Sequence, residues 1–385
     1  MQYRYPYADG LSHEQADDLV ARLIYAFEEI RECSVDKDRQ EIVIDYVEDT
    51  LVERLERLLP GMVADEAKVS VATQRTLWGN TSKPSNEEIS VMDLDVLYDP
   101  AGKFLRDAAV LILEALNARF ERLALQHSAR LRSYPAMISL DTMRRCNYLN
   151  DFPHDLYLLS EFPHDVEVLA EVKDAPDVDP YLRTTPYMLS TAICYHCYEE
   201  LAGSTLTDPL ILTASGLCHR HESAWRVGRH RLNSFQMREI VFLGDADFVT
   251  GFREQLIDDV IALFETLGLR GWLMTANDPF YFSKDADKAQ QQIALGMKHE
   301  LVVDLPGGFE SFSIASFNLL SQSLCTKFSI TDGHGQPLHS GCVGFGLERW
   351  TYALLCTHGT EIARWPDTVL DFLGLGRRIS LPAVP

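Results

Sequence analysis

Apolar and polar positions along this chain follow two periods. Near the start, Tyr3 to Tyr7 alternates like a strand. Ser12 then stands where a helix N-cap belongs, with Gln15 at the capping-box position. Leu19, Leu23, Phe27 and Ile30 recur at helical spacing, which predicts a helix to about Ile30. Glu41 to Val47 reads as a strand, and Thr50 to Leu59 as a short helix stopped by Pro60 and Gly61. Two further strands are expected near Val69–Leu77 and Ile89–Leu97, joined by a turn-rich link from Asn80 to Asn86. A long helix is expected from about Phe104 to Leu131, with Leu105, Ala108, Ile112, Leu116, Phe120 and Leu123 on its buried side. It must end by Ser133 and Tyr134, because Pro135 disfavours helix in the residue before it.

The pattern then loosens. Met137 to Pro180 is loop-rich, with NDFPHD and SEFPHD as two similar turns, and Tyr187 to Tyr195 reads as a strand carrying Cys194. From Leu217 to Leu243, two β-like runs flank a loop crowded with cations. Phe248 to Leu267 is an amphipathic helix, and Asp285 to Gly296 a glutamine-rich one. Trp272–Thr275, His299–Asp304, Phe312–Phe317, Thr326–Thr331 and Gly341–Phe345 read as strands, and a final helix runs from Gly346 to His358. Many strands without βαβ alternation predict an α+β fold, an antiparallel sheet with helices packed on it. Residues 1–100 form a small accessory α/β region, and residues 101–385 the main domain.

Composition narrows this. The chain has 385 residues, 46% hydrophobic and 24% charged, as in a soluble globular protein. No apolar run approaches the roughly 18–20 residues that span a bilayer. The start, MQYRYPYADGL, lacks the layout of a signal peptide, so a cytoplasmic protein is expected. The eight cysteines are scattered without the spacing of a disulfide framework. A net charge of −22 argues against a polynucleotide partner unless positive charge is clustered.

One such cluster lies between Leu217 and Leu243. Arg220 and Glu222 form R-x-E, and Arg226, Arg229 and Arg231 crowd the following loop. Phe235 and Glu239, four residues apart, share one face of a strand. Guanidinium groups suit phosphate, a carboxylate accepts from an exocyclic amine, and an aromatic face stacks on a base. This stretch fits a nucleotide cradle, and it fits a solvated charged hairpin equally well. A second segment, GCVGFGLERW from Gly341 to Trp350, puts Arg349 in the first turn of a helix, the layout of a phosphate site. Cys194 and Cys197 form C-x-x-C, but no second pair follows to close a local zinc finger. A zinc site gathered from distant strands would draw on one of these cysteines, Cys342 and a carboxylate such as Glu239.

These residues resemble a family. LCHRHE is similar to motif 2 of the class II aminoacyl-tRNA synthetases, with its R-x-E core, and GCVGFGLER to motif 3, with its G-x-G-x-x-R core. The long helix with Pro135 resembles motif 1 more loosely. The closer resemblance is to the amino acid:[carrier protein] ligases, relatives of atypical archaeal-type seryl-tRNA synthetases that lack the tRNA-binding domain. It is carried by TAICYH around Cys194, SFQMREIVFLGD around Glu239, ANDPF at Ala276–Phe280, KHEL at Lys298–Leu301, ASFN at Ala315–Asn318, and SGCVGFGLER. It covers roughly residues 100–375.

The resemblance implies a class II sheet flanked by helices, ATP with Mg²⁺, and one Zn²⁺ on Cys194, Glu239 and Cys342. It implies Arg220 on the α-phosphate, Arg349 on the γ-phosphate, Glu222 on the adenine amine and Phe235 under the base. Arg231 and Leu232 belong to the same nucleotide site, and Glu300 is the matching ATP- and Mg²⁺-binding carboxylate. Ala315, Ser316, Phe317 and Asn318, with Glu239, fall on the amino-acid pocket. The implied reaction activates an amino acid, a small one in this family, and transfers it to a carrier protein's phosphopantetheine thiol. A homodimer is implied and tRNA is not. Two departures touch the pocket: SFNLLSQSLCTKF stands where the family has S-F-N-Y-H-x-D-H-F, and DPFYFSKD where it has D-P-F-F-G-R. The rival readings are a tRNA-aminoacylating enzyme and a non-catalytic paralogue.

Overall fold

The computed structural model describes residues 1–7, 10–68, 73–80, 94–95, 97–99, 101, 103–278, 280, 286–306 and 309–376. All of the expected link Asn80–Asn86 after Asn80, most of the expected strand Ile89–Leu97 and the start of the one at Val69 lie outside these residues, as does most of the DPFYFSKD departure.

The N-terminal unit contains β1 (Gln2–Pro6), α1 (His13–Ala26), β2 (Ile30–Asp36), β3 (Glu41–Tyr46) and α2 (Thr50–Glu66). Its sheet is antiparallel in the order β1-β3-β2. Leu19 and Leu23 of α1 pack with Ile42 and Ile44 of β3 and with Leu51, Leu55 and Leu59 of α2. The Ser12 capping box is present. Two boundaries differ from expectation. α1 stops at Ala26 because Phe27 is extended, and Ile30 opens β2 instead of prolonging the helix. α2 runs through Pro60 to Glu66. Pro60 and Glu56, whose carbonyl loses its intrahelical partner, are both exposed to water, while Leu59 and Val63 are buried. Packing of the apolar stripe outweighs one lost hydrogen bond.

The main body is an eight-stranded sheet made of β4 (Thr76–Gly79), β5 (Arg130–Arg132), β9 (Leu210–His219), β10 (Ser234–Gly244), β11 (Gly271–Thr275), β12 (Lys298–Val303), β13 (Phe312–Ser321) and β14 (His339–Gly346). Their order is β4-β11-β12-β13-β14-β10-β9-β5. Every pairing is antiparallel except β5 with β9. Helices Ala108–Gln126, Ala246–Thr266 and Leu347–His358 cover one face. The core there is aromatic: Phe120 stacks on Phe345 at 4.2 Å and meets Trp350 edge-on at 5.1 Å. This is the expected α+β architecture. On the other face, a second cluster including Met188, Cys197, Tyr198, Leu212, Val241 and Phe328 covers one end and leaves the rest open as a cavity.

Several boundaries shift here too. The long helix spans Ala108–Gln126, not Phe104–Leu131; Ser128 turns at φ 61° and Arg130–Arg132 pairs beside β9. The loop-rich stretch contributes β6 (Met137–Ser139) and β7 (Leu158–Glu161) to a small sheet with β8 (Arg183–Leu189). The strand expected to reach Tyr195 ends at Leu189, and Cys194 opens the helix Cys194–Glu200. Thr326–Thr331 is no strand: Ser323–Phe328 is a helix that buries Leu324, Cys325 and Phe328. Helix Asp367–Leu373 follows the one expected to be last. No helix among the described residues is long and apolar enough to cross a membrane.

Candidate active site

Strand alternation builds the site. On β10, Ile240 and Phe242 point into the helix-side core, so Phe235, Met237 and Glu239 face the cavity. On β14, Val343 and Phe345 point to the core and Cys342, Gly344 and Gly346 to the cavity. On β13, Ser316 and Asn318 line the cavity, and on β12 Lys298 and Glu300 do. Register aligns them in rows. Glu239 sits opposite Gly344, Gly344 opposite Ser316, and Ser316 opposite Glu300; beside that row, Cys342 sits opposite Asn318, and Asn318 opposite Lys298. Gly344 is the floor of this arrangement. A Cβ there would stand 3.4 Å from Ser316 Oγ and 3.5 Å from Glu239 Oε1, in contact with both neighbours of its row.

At one end, Cys194, Glu239 and Cys342 place ligand atoms within 4.8 Å of one another, and all three are buried. Among the described residues no other three His, Cys, Asp or Glu side chains come close enough to share an ion. Glu239 Oε2 accepts the backbone N–H of Cys194. Asn318 Nδ2 donates to the Cys342 carbonyl at 3.4 Å and to its Sγ at 3.6 Å. The hydrogen bond with Cys342, together with burial and Glu239, pushes the Cys194 thiol well above its ordinary pKa. Burial pushes the Glu239 carboxyl up to about 7. A cation among these donors would favour the ionised forms that burial alone disfavours. Cys197 does not take part: it is buried with its thiol against Tyr134, outside the 4.8 Å group. His196 stacks on Tyr134 at 5.2 Å and pairs with Ser190 Oγ at 3.1 Å.

The same cavity, about 440 Å³, runs on to a cationic end lined by Arg220, Arg231 and Arg349. β9 ends at His219, so Arg220 and Glu222 stand on the connecting loop and not within the strand. Arg220 Nε donates to the Thr191 carbonyl at 3.3 Å, and its guanidinium carbon lies 5.4 Å from the Phe235 ring centroid. Arg349 is anchored by carbonyls, Nε to His230 at 2.8 Å and Nη1 to Ser313 at 2.9 Å. Burial, then Arg231 and Arg220, hold its guanidinium down to about 10. Among the described residues neither Arg220 nor Arg349 pairs with a carboxylate. Two guanidiniums held by carbonyls and not by carboxylates, facing one cavity, suit a phosphate-bearing anion. Glu222 receives Arg231 Nη1 at 2.9 Å and Arg226 Nη1 at 3.6 Å. Leu232 is buried against the cavity wall.

Ser316 and Asn318 lie in the cavity as expected, and Ala315 borders it from the core side. Phe317 does not. It is fully buried under the helices, because a one-residue step along a strand reverses the face. Residues that sequence reasoning missed lie beside them. Lys298 Nζ is held between Asp278 Oδ1 at 2.5 Å and Glu300 Oε1 at 3.3 Å. Burial opposes its charge, but the two carboxylates outweigh that and keep it cationic. The signal was present: Lys298 precedes Glu300 by two in a strand and so shares its face. Buried Glu348 accepts the Gln236 N–H through both oxygens at 2.9 Å, and burial raises its carboxyl to about 7.

No protein-family model matches this sequence. Amino acid–[acyl-carrier-protein] ligase 1 of Bradyrhizobium diazoefficiens is 30% identical over 301 residues, which is 75% of this chain and 91% of that protein. The chain belongs to the amino acid–[acyl-carrier-protein] ligase family. The chain is also similar to a second group. Type-2 serine–tRNA ligase of Methanopyrus kandleri is 26% identical over 357 residues, 83% of this chain and 64% of that protein. The crystal structure of M. kandleri SerRS in complex with A. aeolicus tRNASec matches 97% of this chain and 77% of that one, with a TM-score of 0.71 at 19% identity. That likeness shows the class II synthetase fold expected from motifs 2 and 3.

Proposed function

We propose that this chain uses ATP to activate an α-amino acid as its aminoacyl-adenylate, then passes the aminoacyl group to the phosphopantetheine thiol of a carrier protein. One observation carries the reading: the Cys194–Glu239–Cys342 cluster and the Arg220–Arg349 pair open onto a single cavity. An amino acid held at the first and a triphosphate at the second would meet between them.

In the first step a carboxylate oxygen of the amino acid attacks the α-phosphorus of ATP, and pyrophosphate leaves. Arg220 and Arg349 are anchored in advance by carbonyls, so they can offset charge as it shifts to pyrophosphate without first reorganising. Phe235 offers a ring face to the base, and Glu222 an acceptor to its amine. Arg231 orients that carboxylate at 2.9 Å. In the second step the thiol sulfur attacks the carbonyl carbon of the adenylate, AMP leaves and the thiol proton is released. No side-chain nucleophile is required.

Two thiols and a carboxylate within 4.8 Å suit Zn²⁺, which takes sulfur and oxygen ligands. Bound there, zinc supplies an open position for a neutral α-amine. Glu300 offers an oxygen to Mg²⁺ at the phosphate end. Asn318 and Ser316 would orient the amino acid from the floor. A homodimer is part of the same proposal.

The rival is tRNA charging, favoured by the likeness to serine–tRNA ligase and opposed by a net charge of −22. The experiment is pyrophosphate exchange over an amino-acid panel with zinc-loaded protein, followed by transfer to a phosphopantetheinylated carrier or to tRNA. Exchange with one or a few amino acids and label on the carrier alone is expected. Absence of exchange with every amino acid overturns the reading, and label on tRNA selects the rival.

A further inference from the structure

The connection between β9 and β10, residues 220–233, carries most of the nucleotide-end side chains. Little backbone holds it. Arg220 N–H reaches the Asn233 carbonyl, His221 N–H the Asp155 carbonyl, Arg226 N–H the Ser223 carbonyl and Gly228 N–H the Arg231 carbonyl, each at 2.9 Å, and side chains from elsewhere add to these. Many come from the N-terminal unit. Tyr25, in the last turn of α1, accepts a hydrogen bond from Arg226 Nη2 at 2.8 Å, and its ring lies 3.9 Å from the Arg226 guanidinium carbon. Arg31 of β2 stands over the Trp225 ring at 5.1 Å. Glu28 comes to 4.0 Å of His221 Nε2, and Tyr25 packs at 5.6 Å against His154.

Arg226 in turn meets Glu222 Oε2 at 3.6 Å, and both side chains are close to dry, at 12% and 11% exposure. Glu222 lines the cavity; Tyr25 and Arg226 stand behind it. We infer that the N-terminal unit is a working wall of the nucleotide site and that Tyr25 is a positioning residue for ATP, acting through Arg226 on Glu222 and Arg231. The inference rests on the adenylate-forming reading above. Its physical basis is preorganisation. A loop with few backbone hydrogen bonds must be ordered when ATP binds unless something orders it first, and a ring with a hydroxyl beneath a guanidinium does that in the free protein.

The test uses the full chain with Tyr25→Ala, Tyr25→Phe and, as a control in the same unit, the exposed Arg57→Ala. ATP affinity is read by calorimetry with a non-hydrolysable analogue, and kinetics by pyrophosphate exchange. Tyr25→Ala should raise the ATP KM and Kd roughly tenfold, while kcat and the amino-acid KM stay within about twofold to threefold. Tyr25→Phe keeps the ring and loses the hydroxyl, so about a threefold effect is expected. Arg57→Ala should match wild type. Failure of wild type to bind ATP would sink the functional reading itself. Wild-type ATP binding with an unchanged Tyr25→Ala or, if that variant does not fold, an unchanged Tyr25→Phe would overturn this inference alone. An equal loss for ATP and for the amino acid would also overturn it, marking Tyr25 as merely structural.

Discussion

Two thiols and a carboxylate buried within 4.8 Å of one another are an expensive arrangement for a chain to keep ionised without a cation. Cys194 and Cys197 make the point sharply, because they stand one helical turn apart with the same chemistry. Only Cys194 faces Glu239 and Cys342. Cys194→Ser should therefore take bound zinc from about one ion per chain to near none, whereas Cys197→Ser should leave it unchanged. Metal content by atomic emission after dialysis decides this. Retention of zinc by Cys194→Ser, or its loss from Cys197→Ser alone, would break the assignment.

At the scale of an element, β13 divides its labour by alternation. Phe317 fills the helix-side core, and Asn318 reaches Cys342 on the cavity side. Phe317→Ala should cost about 3–5 kcal/mol of stability by opening a cavity in that core. Asn318→Ala should cost only about 1 kcal/mol while raising the amino-acid KM roughly tenfold. Denaturant titration beside exchange kinetics separates the two. Equal effects of both substitutions on stability would contradict the strand's two-faced arrangement. The same reasoning explains α2. A proline on a wet face is tolerated when Leu59 and Val63 beside it are buried.

Across the whole molecule, the site walls come from distant parts of the chain, the loop after β9, four neighbouring strands and the helix that starts after Gly346, with Tyr25 of α1 behind the loop. A ligand in the cavity should therefore stabilise the molecule as a unit. An ATP analogue at about one hundred times its Kd adds about 2.7 kcal/mol to folding stability. Thermal unfolding followed by calorimetry should move upward by several degrees in every transition, including any that reports the N-terminal unit. A transition that stays fixed while another moves would mean that the unit and the site are not mechanically joined.

The sequence by itself determined the chemistry and most of the framework. Periodicity located the long helices and most of the main sheet, since burial on one face imposes a repeat along the chain. It took the start of β5 for helix, however, and read only the end of β9. Motifs, and the family they resemble, singled out Arg220, Glu222, Glu239, Cys342 and Arg349 as candidates, because phosphate, amine and metal each demand particular side chains. Spacing alone left Cys194 and Cys197 open and only the resemblance chose Cys194, because the stretch read as a strand to Tyr195 turns into a short helix at Cys194. Nor could the sequence pair Lys298 with Asp278, turn Phe317 inward or bring Tyr25 against Arg226 across 201 positions. Those outcomes depend on sheet register and on how one unit packs on another. Such choices are made by contacts between residues far apart in the chain, and no local pattern records them.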